Sequence, residues 1–273
     1  MKHKRLKVGI LGCGAIGSGI AGAVQKELKG SCELVGLYDI REEASKRLAL
    51  RLRQKKLVKS SLGALIAGCD LMVEAVNAKD TKDLIKQAVM KKKHVLAMSV
   101  GKLFNAQSLF RLARLKGTKI ILPSGAIAGL DAVKSASLRG IKSITLTSRK
   151  PLSGFYRNAY LESKGIELNR IKKETVLFEG PASQAVKHFP QNINVAATLA
   201  LASGHPRKVK VCIKTSPQYK RNSHEIEMTG DFGHLHTLTE NVVCPDNPKT
   251  SYLAVLSGIQ SLKQFSLSLI IGN

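Results

Sequence analysis

The apolar positions at the start of the chain change spacing abruptly. Val8, Ile10 and Leu11 form a short run of strand length, and Ile16, Ile20 and Val24 then recur at helical intervals. Apolar runs of similar length follow at 33–39, 70–76, 94–99 and 118–122. Between them lie segments with helical character at 41–55, 61–67, 81–91 and 106–116. Near-continuous apolar strands alternating with helices call for a parallel sheet covered on both faces. The pattern predicts an α/β fold, a doubly wound parallel Rossmann sheet, over residues 1–123.

Small residues at 123–129 (PSGAIAG) mark a boundary, because the β–α rhythm stops there. A short helix at 131–138 leads into a strand at 143–147, which Arg149, Lys150 and Pro151 are expected to end. Strand-like runs then recur at 175–178, 208–215, 224–229 and 234–243, with one helix at 194–202. That describes a second, smaller α+β domain at 124–248, containing a largely antiparallel sheet and expected to carry substrate binding. Pro245, Asn247 and Pro248 predict a turn at 245–250, with Thr250 or Ser251 capping a final amphipathic helix. That helix, within about 249–273, is expected to pack back on the first domain.

Composition narrows the function classes. No apolar run approaches the roughly 20 residues needed to span a bilayer, so no membrane association is expected. The basic start, MKHKRLK, leads into an apolar segment too short for a signal peptide. The 5 cysteines are scattered, odd in number and without a C-x-x-C pair, which argues against a disulfide framework or structural zinc and for the cytoplasm. Lys and Arg number 44 against 19 Asp and Glu, a net charge of +25. That excess favours non-specific contact with nucleic acid. It is spread along the chain, however, and aromatic residues make up 4% with no Trp, so no specific nucleic-acid site is expected.

The chemistry begins at KVGILGCGAIG (7–17), where Gly12, Gly14 and Gly17 have the spacing G-x-G-x-x-G between strand and helix. Gly12 permits the tight turn, Gly14 leaves room for a pyrophosphate, and Gly17 lets the helix approach the strand. The backbone N–H groups of Ala15, Ile16 and Gly17 open the helix, where its dipole attracts phosphate. Asp39 ends the second strand at about the interval expected of a carboxylate that binds the adenosine ribose. A carboxylate there favours NAD, while Arg41 keeps NADP open. A glycine turn without a ligand and a plain strand-end Asp39 are the alternatives. Glu74, Asn77 and Ser99 fall near strand ends where cofactors sit, and equally suit turns or caps.

Four further segments are more diagnostic: PSGAIAGLDA (123–132), FPQNINVAATLALA (189–202), HEIEMTGDFG (224–233) and PDNPKTSYLAVLS (245–257). In this order, behind a dinucleotide fold, they resemble the L-aspartate dehydrogenase family over essentially the whole chain. The resemblance implies oxidative deamination of L-aspartate, with NAD or NADP, to iminoaspartate. That product hydrolyses to oxaloacetate and ammonia or feeds NAD biosynthesis. The resemblance also places Ala128 and Asn194 at the nicotinamide end of the cofactor, makes His224 the active-site histidine, and suggests a homodimer. The strongly basic composition departs from the family but touches none of these motifs.

The same residues can be read without the family. Small side chains at 125–129 let the backbone approach a flat ring. Asn194 suits a ribose hydroxyl or carboxamide as well as a helix cap. A histidine such as His224 suits proton transfer near neutral pH. Lys249, Thr250 and Ser251 are candidates for holding a dicarboxylate amino acid at a helix start, with Thr147 and Arg149 weaker ones. His234 and His236 share a strand face, but no third ligand lies at useful spacing, so no metal site is expected. Two rival functions remain: another two-domain amino-acid or hydroxy-acid dehydrogenase, or a basic NAD-responsive nucleic-acid-binding or regulatory protein.

Overall fold

The computed structural model describes residues 4–189, 193–245 and 247–272, with 247–249 described through their backbone only. The chain divides into two compact units, Met1–Pro123 with Val255–Ile271, and Ser124–Ala254 with the last two residues. No helix among the described residues is long and apolar enough to cross a membrane.

The first unit alternates strand and helix. Its elements are β1 (Leu6–Leu11), α1 (Ala15–Gln25), β2 (Cys32–Tyr38), α2 (Glu42–Arg51), α3 (Leu62–Gly68), β3 (Leu71–Glu74), α4 (Thr81–Met90), β4 (His94–Ala97), α5 (Gln107–Leu115) and β5 (Ile120–Ile121). The strands form one sheet ordered β2-β1-β3-β4-β5, with every pairing parallel. Alternate strand residues face opposite sides, so the sheet is buried twice. Val8, Ile10, Leu71 and Val73 join Ile20, Val24 and Leu48 in one core. Leu11, Met72, Val95 and Ala97 join Leu65, Ile85 and Leu109 in the other. The predicted doubly wound sheet is therefore present. Its order reverses between β1 and β3, the switch point where open α/β sheets bind ligands.

The second unit contains α6 (Leu130–Ala136), β6 (Ile141–Pro151), α7 (Ala159–Ser163), β7 (Thr175–Pro181), α8 (Ala182–His188), α9 (Asn194–Ala202), β8 (Val209–Ser216), β9 (Asn222–Gly230), β10 (Gly233–Asn241), β11 (Val243–Cys244) and β12 (Asn247–Ser251). Its main sheet runs β10-β9-β6-β8-β7, with β6 and β8 parallel and the other neighbours antiparallel. Ile144, Leu146, Val209, Val211, Ile213, Ile226 and Met228 are buried on its inner face. There α8 and α9 pack on β7 and β8, and α6 lies against α9. The outer face is charged, with Arg149, Glu174 and Lys214 in ion pairs.

Three features depart from the sequence reading. Strand β6 runs on through Arg149 and Lys150 to Pro151 instead of ending near Thr147, because β8 and β9 pair with it along this length. The short helices α7 and α8 lie where none is predicted; neither is long enough to show a periodic apolar face. Residues 247–251 form β12 rather than the end of a turn, and β12 pairs antiparallel with β11. A two-stranded ribbon tolerates Pro248 because an edge strand can lack an N–H.

Helix α10 (Tyr252–Ser266) belongs to the first unit from Val255 onward. An added Cβ at Gly258 would lie 2.8 Å from Met98 and 3.1 Å from Ile20, so the glycine allows close packing there. Leu262 is fully buried in the core that contains Ile20, and the Phe265 ring lies 5.0 Å from that of His94. Leu262→Ala is expected to lower unfolding free energy by about 2–5 kcal/mol, measured by urea denaturation. A loss well below about 1 kcal/mol would show that α10 is not part of this core.

Candidate active site

The first unit's glycine turn is built by close contacts. Gly12 has φ +94, and an added Cβ would lie 2.5 Å from the Ala75 carbonyl oxygen, so only glycine fits. Gly12 N–H donates to Tyr38 O and Ala75 N–H to Leu11 O, each at 2.8 Å, which fastens the turn between β2 and β3. At Gly17 an added Cβ would lie 1.9 Å from Gly12 O, so any side chain would push α1 off the turn. Gly14 differs. An added Cβ there meets no protein atom within 4 Å, so nothing inside the protein requires glycine. That is the position where a pyrophosphate would approach. Ala15, Ile16 and Gly17 form the first turn of α1, which contains no acidic residue, and their N–H groups precede the first intrahelical acceptors.

Asp39 is buried beside this turn. Its Oδ2 accepts Cys13 N–H at 2.8 Å and its Oδ1 accepts Arg41 N–H at 2.9 Å. One oxygen thus holds the glycine loop, and each oxygen retains a further lone-pair site. Burial and the Asp39 charge push the Cys13 thiol up to about 12, so it stays protonated. Glu74, fully buried at the end of β3, accepts Val76 N–H at 2.9 Å and Ser99 N–H at 3.2 Å. Ser99 Oγ also lies in donor range of Glu74 Oε1, at 2.8 Å. Burial raises the Glu74 pKa while these bonds oppose the shift. Glu74 and Ser99 therefore join the ends of β3 and β4, whereas Asn77 is exposed on the loop.

The second unit's cluster centres on His224 of β9, which is buried on the inner face. Ser148 of β6 lies directly across the strand pair, with Oγ 2.9 Å from His224 Nδ1. Burial first, and the Lys150 charge second, push the His224 pKa down to about 3, so the imidazole is neutral at neutral pH. Lys150, two residues beyond Ser148 on the same face of β6, is lowered by burial to about 8 and remains mostly charged at pH 7.

The 124–129 loop is tied to the same cluster. Thr239 sits opposite His224 on β10, with its hydroxyl 2.8 Å from Ala126 O and 3.2 Å from His224 O. Asn241 Nδ2 donates to Ala126 O at 3.1 Å, and Thr237 Oγ1 reaches Ala128 O at 3.4 Å. Ala128 itself is exposed. An added Cβ at Gly125 would touch Val195 at 3.8 Å, so this loop lies against the start of α9, where Asn194 is the exposed first residue.

Other candidates are placed differently. Arg149 and Thr147 face away from His224, since adjacent strand residues alternate. Arg149 bonds Glu225 Oε2 at 2.6 Å and pairs with Glu174 at 3.6 Å. His234 and His236 lie on that outer face with Glu227 and Glu225, at 3.5 and 2.9 Å. Among the described residues no three His, Cys, Asp or Glu side chains gather as metal ligands. Lys249 and Thr250 belong to β12 and not to a helix start. The Lys249 side chain lies outside the described residues, as do Pro190, Gln191 and Asn192 of the FPQNIN segment. Ser251 Oγ accepts from Asn222 Nδ2 at 3.4 Å, and Asn222 shares the His224 face of β9.

The profile "Aspartate dehydrogenase, C-terminal" matches residues 131–265, and "Homoserine dehydrogenase, NAD binding domain" matches 12–123. The L-aspartate dehydrogenase of Methanosarcina barkeri is 43% identical over 270 residues, covering 98% of this chain and 99% of that protein. The chain belongs to the aspartate dehydrogenase family. Its relative in Methanococcus maripaludis strain C6, also named L-aspartate dehydrogenase, is 40% identical over 98% of this chain and 99% of that one. The solved aspartate dehydrogenase of Thermotoga maritima has the same fold, with TM-score 0.69 and 23% identity over 98% of this chain and 100% of the other. A hyperthermophilic archaeal homoserine dehydrogenase, solved with NADPH, shares the fold at TM-score 0.61 and 11% identity, covering 98% and 99% of the two chains.

Ser148 and Lys150 are the neighbours of His224 on this strand face that motif and spacing miss. Their signal is the two-residue alternation begun by Ile144 and Leu146, which continues inward after the apolar residues stop.

Because the folded His224 titrates near 3 and an unfolded histidine near 6.5, the unfolded chain binds more protons between these values. Stability from this residue is full above about 6.5 and lost as pH falls toward 3. The His224 ring nitrogens are expected to show no titration by NMR from about pH 5 to about pH 8. A midpoint near 6.5 would contradict the buried, neutral state.

Proposed function

We propose that this protein is an NAD(P)-dependent L-aspartate dehydrogenase that oxidises L-aspartate to iminoaspartate, with His224 as its proton-transfer group. The observation that carries the reading is the buried, neutral His224 held at Nδ1 by Ser148, in a chain of this family. With Nδ1–H donated to Ser148 Oγ, Nε2 presents its lone pair. His224 then takes a proton from the substrate ammonium, and the amine lone pair forms the C=N bond as the Cα hydrogen leaves with its electrons. The cofactor, when bound, accepts that hydride. After His224 has released that proton to solvent, the neutral ring takes one from the water that attacks the protonated imine, and the resulting carbinolamine breaks its C–N bond to give oxaloacetate and ammonia. Alternatively, iminoaspartate is released to pyridine nucleotide biosynthesis.

In this reading Gly12, Gly14, Ala15, Ile16 and Gly17 receive the pyrophosphate, and Asp39 the adenosine ribose. The open approach at Gly14 and the lone pairs left on Asp39 support that fit. Ala128 and Asn194 take the nicotinamide end, which leaves their exposed positions functional. Asp39 favours NAD. Arg41, whose side chain is 76% exposed, is the group that would pair with the 2′-phosphate of NADP. The homodimer rests on family likeness, and the cytoplasmic setting on five free, buried cysteines.

His224→Ala is expected to lower kcat by about 10²–10⁴ while NADH affinity, read by fluorescence, stays near wild type. Near-wild-type turnover in that variant would remove His224 from the mechanism. Wild-type protein giving no more NADH from aspartate than from glutamate or homoserine would overturn the substrate assignment. Asp39→Ala is expected to weaken NAD and shift the kcat/KM ratio toward NADP by about tenfold or more. An unchanged ratio would place Asp39 away from the ribose.

A further inference from the structure

The site so far has a proton acceptor and a hydroxyl, yet a dicarboxylate also needs a cation. Two basic side chains stand next to each other on β6, and the strand sends them to opposite faces. Arg149 goes outward, where Glu225 and Glu174 neutralise it. Lys150 goes inward, in line with Ser148, onto the face that holds His224. Its backbone is fixed there, since Thr215 Oγ1 donates to Lys150 O at 2.8 Å. Its stem runs beside the turn that follows β6, where an added Cβ on Gly154 would meet Lys150 Cβ and Cδ at 3.6 and 3.7 Å.

We propose that Lys150 is the substrate-binding cation of this site and that its ammonium holds a carboxylate of the amino acid. The inference rests on the L-aspartate dehydrogenase reading. An ammonium partly withdrawn from water attracts a carboxylate more strongly than a solvated one, because the effective dielectric is lower. Position gives it a second effect. In the free protein the Lys150 charge disfavours an imidazolium at His224. A carboxylate seated on Lys150 offsets that charge and itself favours the imidazolium, so His224 becomes a stronger base when substrate is present. Binding of the acid group and readiness of the base are thereby coupled through one lysine.

The test compares wild type with Lys150→Met, which keeps an apolar stem, and Lys150→Arg, which keeps the charge. Turnover of L-aspartate and L-asparagine, inhibition by succinate and NADH affinity are measured for each. Succinate reports the carboxylates alone, since it has no amine. Lys150→Met is expected to raise KM for aspartate and the inhibition constant of succinate by about 10–100-fold, with NADH affinity unchanged and partial recovery in Lys150→Arg. A fall in kcat/KM for aspartate but not asparagine places the side-chain carboxylate on Lys150; an equal fall in both places the α-carboxylate there. Unchanged KM and succinate inhibition in Lys150→Met would overturn the inference, as would losses that Lys150→Arg does not relieve at all. Wild type that binds succinate but leaves aspartate unreacted would sink the dehydrogenase reading instead.

Discussion

The contact between Ser148 Oγ and His224 Nδ1, 2.9 Å long and buried, joins two neighbouring strands of the second unit at the point where its inner face changes from apolar to polar. On one side lie Ile144, Leu146, Ile226 and Met228, which are core; on the other lies Lys150. A buried imidazole without a partner would be costly, and the hydroxyl removes that cost while fixing the ring's orientation. Burial beside an ammonium keeps the ring neutral. The inward face of β6 and β9 thus sets both the position and the protonation state of the histidine proposed to transfer the proton.

The first unit solves a related problem with acids. Asp39 and Glu74 are buried at the ends of β2 and β3, and each accepts backbone N–H groups from the loops that follow the strands. Helix dipoles and free N–H groups attract phosphate, but only if the loops bearing them stay in place. Asp39 holds the glycine turn, and Glu74 joins the loops after β3 and β4. A carboxylate suits this role because it accepts several bonds at once. Glycine at 12 and 17 supplies the remaining closeness by leaving out atoms that would collide with backbone.

Fold alone does not choose a substrate. The solved homoserine and aspartate dehydrogenases resemble this chain in architecture at 11% and 23% identity, and the glycine turn with Asp39 would serve many dehydrogenases equally. In the second unit the 124–129 loop, the start of α9 and His224 are drawn together through Thr239, Asn241 and Val195.

Much of this was legible along the chain. Apolar runs separated by helical spacing determine a parallel sheet because such strands must be covered on both faces. G-x-G-x-x-G and Asp39 carry meaning because backbone geometry at a strand–helix turn leaves few alternatives. His224, Asn194 and Ala128 stand out as candidates only through longer motifs, since one histidine or amide has no signature of its own. Tertiary structure decided the rest. Pairing with β8 and β9 carries β6 past its last apolar residue and sends Lys150 inward and Arg149 outward. Pairing with β11 makes 247–251 a strand where Pro and Asn suggest a turn. These outcomes depend on strands far apart in sequence, and polar residues at inward positions erase the hydrophobic pattern by which sequence announces a buried face.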